Sequence, residues 1–505
     1  MSSAVGSLLR SLAAAVRGTI RSDAAERRRV DRDGSHVRGR AIASVAPKDA
    51  DDVVALVRWA RERAVPLVPR GAGTSLDGES VPVQGGVVVD LSGWNTVREV
   101  RVQERSARVG PGVVNRDLQT ALAPHGLFFP PNPGSWDVST IGGHVGTNAS
   151  GPRSFRYGPT RAWVRAVDVV LGTGELARWG TRAAKRSVGP DLVSLFVGSE
   201  GTLGIATEVT VRLAPRPAIR RGLVVALPAM TPLAPVAMAL AGSAGTGLSA
   251  IEYLDAACAE ELSGGSGLES GTRGDRLLLE IEADSPADAR AREATVRKVL
   301  RRSGVRATPA VYDDADALWT LRGRASLALD AWLGERIRED VAVPLAAVDR
   351  LRRELQRIAR AERAPLCLFA HLGEGSLHPN FAVDPASARG RRVRAAALGA
   401  SLALGGTISA EHGIGSIKVP FLAREIGATG VGVLRALKAA CDPDGILNPG
   451  KLYPPPIRAA AGRPSPSLGG SGAAPGRRTS PTDARRARPW RGPGPAAPRK
   501  RAARP

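Results

Sequence analysis

Three glycine-rich segments set the architecture of this chain: PRGAGTSLDG at 69–78, STIGGHVGTNASGPRSFRYG at 139–158 and VGSEGTLGIATEVTVRL at 197–213. Each contains a loop at the end of a predicted strand, and glycine lets backbone N–H groups approach phosphate oxygens closely. None is a Rossmann fingerprint, because GAGTSL lacks the third glycine, and the chain contains no GxxxxGK[ST] motif. Each segment alone is compatible with an ordinary turn. Together they favour a dinucleotide site.

The sequence around these loops predicts an α/β domain that ends at the prolines near residue 216. KDADDVVALVRWARER (48–63) has the apolar spacing of an amphipathic helix and leads into a short strand, VPLVP (65–69). A second strand is predicted in GGVVVDLSGWN (85–95), and a hairpin over 166–180. Strands that alternate with helices are typical of α/β domains.

Beyond these prolines, strands are predicted between arginine-rich helices such as 286–302 and 345–363. The end of the chain is rich in Pro, Gly, Ala, Ser and Arg, a composition typical of disorder. We therefore predict four parts, namely an N-terminal helical segment at 1–37, a first domain at 38–216, a second domain at 217–453 and a disordered basic tail at 454–505.

The tail supplies +11 of the formal net charge of +23, because it holds twelve Lys or Arg against one acid, Asp483. Arginine outnumbers lysine 64 to 7 along the whole chain, which indicates a coding bias rather than a basic patch. Aromatic residues make up only 4%, so nucleic-acid bases have little to stack on. We predict no specific nucleic-acid partner.

The cysteines and the apolar stretches exclude further classes of protein. Cys258, Cys367 and Cys441 are widely separated and form no CxxC pair, which argues against a disulfide framework, a thiolate zinc site and an iron–sulfur cluster. A reducing cytoplasm fits this usage. The uncharged stretch 222–251 is interrupted by three prolines, so we predict no transmembrane segment.

Histidine is scarce, with six in 505 residues, and three of the six fall in two short segments. His371 and His378 bracket LGEGSL after the apolar run LCLFA, and a strand–turn–strand there would bring both imidazoles to one face. Glu411 and His412 follow in SAEHGIG about thirty residues later. Two imidazoles and a carboxylate suit a divalent metal with positions left open for substrate, although a single histidine in a turn is more often structural.

These segments resemble the flavoprotein family that includes vanillyl-alcohol oxidase and p-cresol methylhydroxylase. The closer similarity is to the branch of glycolate oxidase FAD subunits, D-lactate dehydrogenases and D-2-hydroxyglutarate dehydrogenases, over roughly residues 38–453. The resemblance implies an α+β fold, with a two-subdomain FAD-binding domain of the p-cresol methylhydroxylase type. An α/β substrate (cap) domain with an antiparallel sheet would follow it.

The resemblance also implies a set of FAD contacts. The first two loops would line the pyrophosphate and flavin, the third would hold the adenosine side, and the late NPGK motif would approach the flavin from the far domain. The implied residues are Arg70, Gly71, Ala72, Gly73, Thr74, Ser75, Leu76, Gly142, Gly143, Asn148, Gly198, Glu200, Gly201, Ile205, Asn448 and Lys451. Relatives that attach FAD covalently through the first loop use a histidine where this chain has Thr74, so we predict non-covalent FAD.

The histidine segments acquire roles through the same resemblance. HLGEGSLHPN is similar to the metal-binding HxGDGNxHxN of the D-2-hydroxyglutarate dehydrogenase branch, and AEHGIG to its GEHGIG. This implies that His371, His378 and Glu411 bind a divalent metal, with zinc expected and manganese or iron as alternatives. His412 would be the general base, and Asn380 a further catalytic residue.

Two arginines are implied to bind the substrate carboxylate. LWTLRGRAS points to Arg322, with Ser326 one turn later, and IREDVAVP brings a second cation, Arg338. Bidentate recognition of a carboxylate suits a guanidinium, although any single arginine in this chain is also compatible with a solvated surface. Glu374 and Ser376 replace the aspartate and asparagine of the family motif, so the identity of the substrate stays open.

The predicted function is oxidation of a D-2-hydroxy acid, of the glycolate, D-lactate or D-2-hydroxyglutarate type, to its 2-oxo acid. Because the chain has no cysteine cluster, electrons would pass to a separate acceptor, which is a quinone, an electron-transfer protein or an iron–sulfur subunit. A homodimer and peripheral attachment to the inner face of the membrane are compatible with a cytoplasmic location. Two alternatives stay open, a non-redox FAD transferase resembling alkyl-dihydroxyacetonephosphate synthase and a polyanion-binding protein that acts through the basic tail.

Overall fold

The structure is a computed structural model that describes residues 3–228, 230–263, 274–323 and 325–454. The predicted disordered tail therefore lies outside the described residues, apart from its first position. The fold is built from three main sheets, each with its own apolar core.

The first sheet belongs to the N-terminal part of the chain and has the order β1-β2-β4-β3. Strands β2, β3 and β4 run parallel, and β1 pairs antiparallel with β2, so the predicted helical segment at the N-terminus also contains a strand. The predicted helix at 48–63 is confirmed as α3, where the Asp49 side chain caps the first turn. The elements are α1 (Ser3–Ala15), β1 (Thr19–Arg21), α2 (Ala24–Val30), β2 (Ala41–Ala46), α3 (Ala50–Arg63), β3 (Leu67–Arg70) and β4 (Gly86–Asp90).

The second sheet is antiparallel, with the order β5-β6-β10-β8-β9, and a small pair, β7 with β11, lies beside it. Its β8–β9 hairpin confirms the turn predicted within 166–180. The elements are β5 (Val97–Arg101), β6 (Ser106–Val109), α4 (Asn115–Leu122), β7 (Leu127–Phe128), α5 (Ile141–Thr147), α6 (Ser154–Tyr157), β8 (Val164–Leu171), β9 (Leu176–Gly180), α7 (Leu192–Phe196), β10 (Gly204–Arg212) and β11 (Ala214–Pro215).

The third sheet is a large antiparallel sheet, with the order β15-β12-β14-β13-β18-β19-β16 and with β17 also paired to β19. The elements are β12 (Ile219–Leu227), α8 (Leu233–Ala241), β13 (Leu248–Leu254), α9 (Ala256–Ser263), β14 (Asp275–Ala283), α10 (Pro286–Arg302), β15 (Ala310–Tyr312), α11 (Ala315–Gly323), α12 (Ala325–Leu333), β16 (Ile337–Arg338), β17 (Val341–Ala342), α13 (Val348–Ala361), β18 (Leu366–His371), β19 (Ser376–Phe381), α14 (Ala388–Ala403) and α15 (Val419–Cys441).

The two faces of this third sheet have different roles. Apolar side chains such as Leu279, Ile337 and Phe381 alternate along the strands and pack in one core with Leu351 of α13 and Leu398 of α14. The residues between them project from the opposite face, which carries the buried acids Glu252, Glu280 and Glu282 beside a smaller apolar cluster that includes Leu254 and Leu278. Among the described helices, none is long and apolar enough to cross a membrane.

Candidate active site

A cavity lies between the first glycine loop and helix α5. It is lined by residues 69–75, by Gly142, Gly143 and Gly146 of α5, and by Glu200 and Gly201 of the third loop. Within the described residues, none of the backbone N–H groups from 71 to 76 donates a hydrogen bond to another protein group. A row of free N–H groups beside a cavity suits the oxygens of a pyrophosphate.

Glycine is required in this loop for steric reasons. Gly73 has a φ of 71°, and a Cβ there would lie 2.0 Å from the guanidinium of Arg70. Burial lowers the pKa of Arg70, whose Nη1 donates to the Arg32 carbonyl at 2.7 Å. The loop is thus packed tightly on its protein side and leaves its N–H groups to the cavity.

The structure brings some of the predicted FAD contacts to this cavity and leaves others away from its wall. The predicted residues on the wall are Arg70, Gly71, Ala72, Gly73, Thr74, Ser75, Gly142, Gly143, Glu200 and Gly201. The predicted residues that do not line it are Leu76, Asn148, Gly198, Ile205, Asn448 and Lys451. Among these, Asn448 donates to the carbonyls of Glu79 and Glu200, while Lys451 contacts the Val81 carbonyl.

The polar face of the third sheet carries the remaining predicted site residues. Glu252 on β13 is opposite His371 on β18 in register, while Asn380 on β19 is opposite Arg338 on β16. His378 lies two residues before Asn380 on the same strand and therefore on the same face. Strand alternation thus gathers residues from four strands beside one another.

His371, His378 and Glu411 form a compact group of metal-ligating atoms, all within 4.8 Å of one another. Each histidine places its Nε2 3.4 Å from Glu411 Oε1, and Ser150 Oγ donates to the other carboxylate oxygen at 3.0 Å. Neither ring nitrogen of His378 has a hydrogen-bond partner within the described residues, although the residue is buried, with only 2% of its surface exposed. An orphaned buried imidazole beside a carboxylate has the chemistry to hold a metal ion, so these three residues could form such a site.

The pKa shifts in this group follow from burial and charge. Burial lowers the pKa of His378 well below its ordinary value, so this ring is neutral. Burial would also lower the pKa of His371, but the negative charges of Glu252 and Glu411 outweigh the effect of burial and raise this pKa to about 10. Burial alone would raise the pKa of Glu411, and the neighbouring imidazoles hold it well below its usual range. The negative charges of Glu252 and Glu411 therefore stabilise a positive charge between His371, His378 and Glu411.

His412 lies beside this group, and its loop is held by Asp340. The Asp340 Oδ2 atom accepts the backbone N–H groups of Ala410, Glu411 and His412 at 3.0, 2.7 and 2.7 Å. Nδ1 of His412 lies 3.5 Å from Asp340 Oδ1 without a hydrogen bond. Burial alone would raise the pKa of Asp340, but the charges of His412 and Lys418 lower it to about 2.

The predicted substrate-binding arginines lie on either side of the histidines. Arg322 donates to Glu252 at 3.1 Å through Nε and 3.0 Å through Nη2, and its guanidinium stands 4.5 Å above the Phe369 ring. Arg338 pairs with Asp330 at the sheet edge and is 30% exposed on its side chain. The side chain of Ser326, which the sequence places near Arg322, lies outside the described residues.

Asn380 is held between its neighbours. Its Oδ1 accepts from Arg336 Nε at 2.9 Å, and its Nδ2 donates to the His378 carbonyl at 3.0 Å. Arg336 also pairs with Asp330, so one acid serves both arginines at this edge of the sheet. Asn380 thus connects the strand of His378 to the sheet edge.

Four residues of this region were not predicted from the sequence, namely Glu252, Asp340, Arg336 and Lys418. Glu252 is a buried acid in the otherwise apolar strand LSAIEYL. Because a buried carboxylate needs a partner, an acid at this position is a signal that could have been recognised in the sequence. Asp340 lies in the IREDVAVP segment and Lys418 lies just after EHGIG. The two side chains pair with each other across 78 positions, which no local pattern indicates. Arg336 carries no local signal among so many arginines.

Comparison with known proteins identifies the family. The family of FAD binding domains matches residues 41–180, and the family of C-terminal domains of FAD linked oxidases matches residues 216–452. The glycolate oxidase subunit GlcD of Bacillus subtilis is 34% identical over 418 residues, which cover 81% of this chain and 88% of that protein. The chain belongs to the FAD-linked oxidase family.

A further relative is similar in sequence, and a solved structure is similar in fold. The D-2-hydroxyglutarate dehydrogenase of Stutzerimonas stutzeri is 33% identical over 427 residues, which cover 81% of this FAD-linked oxidase and 90% of that protein. A crystal structure of p-cresol methylhydroxylase with substrate bound has a TM-score of 0.74 at 15% identity, covering 89% and 97% of the two chains. The predicted fold class, including the antiparallel sheet of the second half, is confirmed. The protein is an FAD-linked oxidoreductase.

Proposed function

We propose that this FAD-linked oxidase oxidises a D-2-hydroxy acid to the 2-oxo acid. The proposal rests on one observation, which is the close approach of four side chains at the polar face of the third sheet, namely His371, His378, Glu411 and His412. On the same face, Arg322 pairs with Glu252. Its relatives include proteins named for glycolate and D-2-hydroxyglutarate. The side chain of the substrate stays open within this class.

The reaction removes a hydride from Cα and a proton from the hydroxyl group of the substrate. Bound FAD supplies the hydride acceptor, and the free N–H groups of the first loop fit its pyrophosphate. Thr74 stands where a histidine would attach the flavin covalently, so FAD is held without a covalent bond. The two electrons then leave to a separate acceptor, which is a quinone, an electron-transfer protein or an iron–sulfur subunit.

A divalent metal fits the group formed by His371, His378 and Glu411. The orphaned nitrogens of His378 and the negative field that raises the pKa of His371 both suit a cation. Zinc is the expected ion, with manganese or iron as alternatives. When bound, such an ion would lower the pKa of the substrate hydroxyl group.

His412 takes the hydroxyl proton. Its imidazole lies 3.7 Å from Glu411 and 3.5 Å from the Asp340 carboxylate, which stabilises the imidazolium that forms. The three backbone N–H groups that Asp340 accepts fix the loop in this position. Arg322 and Arg338 bind the substrate carboxylate and orient Cα.

Replacement of His412 tests the proposal. With FAD bound, His412→Gln should slow anaerobic flavin reduction by roughly 10²–10⁴-fold, the contribution typical of a general base. His125→Ala, which removes an exposed histidine of a short turn, is the matched control and should reduce flavin at the wild-type rate. Fast flavin reduction by His412→Gln would exclude His412 as the base.

A further inference from the structure

We propose that Glu252 is a positioning residue that joins the metal ligand His371 to the arginine that binds the substrate carboxylate. The inference rests on the proposed function and adds a residue that makes metal binding and substrate binding interdependent.

The contacts of Glu252 divide its two oxygens between two partners. Oε1 lies 2.6 Å from His371 Nδ1, whereas Oε2 accepts from Arg322 Nη2 at 3.0 Å and from Nε at 3.1 Å. The side chain is 0% exposed, and its strand is aligned with that of His371 so that the two residues are direct neighbours. The position is therefore fixed by the sheet and not by a mobile loop.

On the histidine side, Glu252 selects the nitrogen that is free to bind a metal. A histidine that binds a metal is neutral and has one N–H, because the metal displaces the other proton, and a carboxylate at Nδ1 keeps the remaining hydrogen there. The lone pair of His371 Nε2 then faces Glu411 Oε1, 3.4 Å away, and the neighbouring ring of His378. Partners of this kind, behind a ligating histidine, orient the ring and raise its affinity for the metal.

On the arginine side, Glu252 fixes the guanidinium plane. It engages Nε and Nη2 of Arg322, while Phe369 lies beneath the guanidinium at 4.5 Å. Nη1 is left to a substrate carboxylate. The buried carboxylate of Glu252 thus orients both the imidazole of His371 and the guanidinium of Arg322. Its loss should therefore weaken both metal binding and substrate binding.

Glu252→Gln tests the inference, because it keeps the size of the side chain and one acceptor oxygen but removes the charge. Zn²⁺ affinity of the FAD-loaded protein is measured by competition with a chromophoric chelator, in the absence of substrate. We expect Glu252→Gln to bind Zn²⁺ about 10–100-fold more weakly than the wild type. Glu252→Asp, which keeps the charge, should recover part of this loss. The KM for the hydroxy acid should rise in Glu252→Gln even at saturating Zn²⁺.

Glu26→Gln is the matched control. Glu26 is also buried and also accepts from an arginine, Arg29, and from a hydroxyl group, that of Ser44, but it lies in the N-terminal helix α2. It should leave Zn²⁺ affinity and KM unchanged, and FAD content with circular dichroism shows whether each variant folds. Wild-type Zn²⁺ affinity in folded Glu252→Gln would overturn the inference alone. A wild-type protein that binds no Zn²⁺ would overturn the metal site of the proposed function as well.

Discussion

The buried ammonium of Lys418 contacts three acids, and its removal is expected to destabilise the protein severely. Lys418 is 0% exposed and contacts Asp340 Oδ1, with Asp77 Oδ2 at 3.1 Å and Glu339 Oε2 at 3.9 Å. Asp77 belongs to the first glycine-rich segment, whereas Asp340 and Glu339 belong to the third sheet region. One cation therefore links the first glycine-rich segment to the third sheet region, where Asp340 accepts the backbone N–H groups of Glu411 and His412.

The cost of losing this cation can be worked out from the contacts. In Lys418→Met the apolar stem is retained, but Asp77 and Asp340 are left buried without their partner. Removal of one member of a buried ion pair costs about 3–5 kcal/mol. At roughly 2–4 °C per kcal/mol, as for domains of 150–250 residues, the melting temperature should fall by at least about 6 °C.

Thermal unfolding of the FAD-loaded protein, followed by circular dichroism at pH 7, measures this effect. Lys185→Met, which replaces an exposed lysine, is the control and should melt within about 1 °C of the wild type. Adding Asp340→Asn to Lys418→Met should restore part of the loss, because it removes one of the stranded charges. A Lys418→Met protein that melts with the wild type would refute the assignment of this buried charge cluster.

Three further predictions concern the cofactor, pH and the metal. Gly146 lines the FAD cavity and a Cβ there would meet no protein atom within 4 Å, so Gly146→Val should fold with wild-type circular dichroism yet purify without bound FAD. Burial raises the pKa of Glu200 from 4.5 to about 7, so the folded protein keeps a proton that the unfolded chain releases. The contribution of Glu200 to stability should therefore be lost as the pH rises from about 4.5 to 7. In the Glu200→Gln apoprotein the melting temperature should change less with pH over this range than in the wild-type apoprotein. The same dependence of melting temperature on pH in both proteins would contradict this. Removal of metal by chelation should leave FAD bound and abolish its reduction by substrate, and Zn²⁺ should restore it; full activity after verified removal of metal would exclude a role for the ion.

The local parts of this structure were predictable from the sequence. Apolar spacing gives α3 at Ala50–Arg63, and the turn around LGEGSL gives the β18–β19 hairpin, which places the rings of His371 and His378 4.9 Å apart. Both features depend on residues close together in the chain, where periodicity and turn chemistry are informative.

The contacts that complete the site depend on long-range pairing, which local patterns do not contain. Glu252 meets His371 across 119 positions because β13 pairs with β18, and the sequence does not specify that pairing. Glu200 was placed on the adenosine side by resemblance, whereas its carboxylate also accepts the N–H groups of Ile414 and Gly415 at 2.7 and 2.9 Å. A buried acid within an apolar strand is the one local signal that marks such a residue in advance.

Anaerobic bleaching of the bound flavin at about 450 nm by paired D- and L-2-hydroxy acids measures the proposed reaction itself. The panel comprises glycolate, D- and L-lactate, and D- and L-2-hydroxyglutarate, each tested before and after chelation. We expect rapid bleaching by at least one D acid or glycolate, much slower bleaching by the L acids, and loss of bleaching after chelation. A flavin-loaded protein that none of these acids bleaches would contradict the proposed reaction while leaving the fold and the family intact.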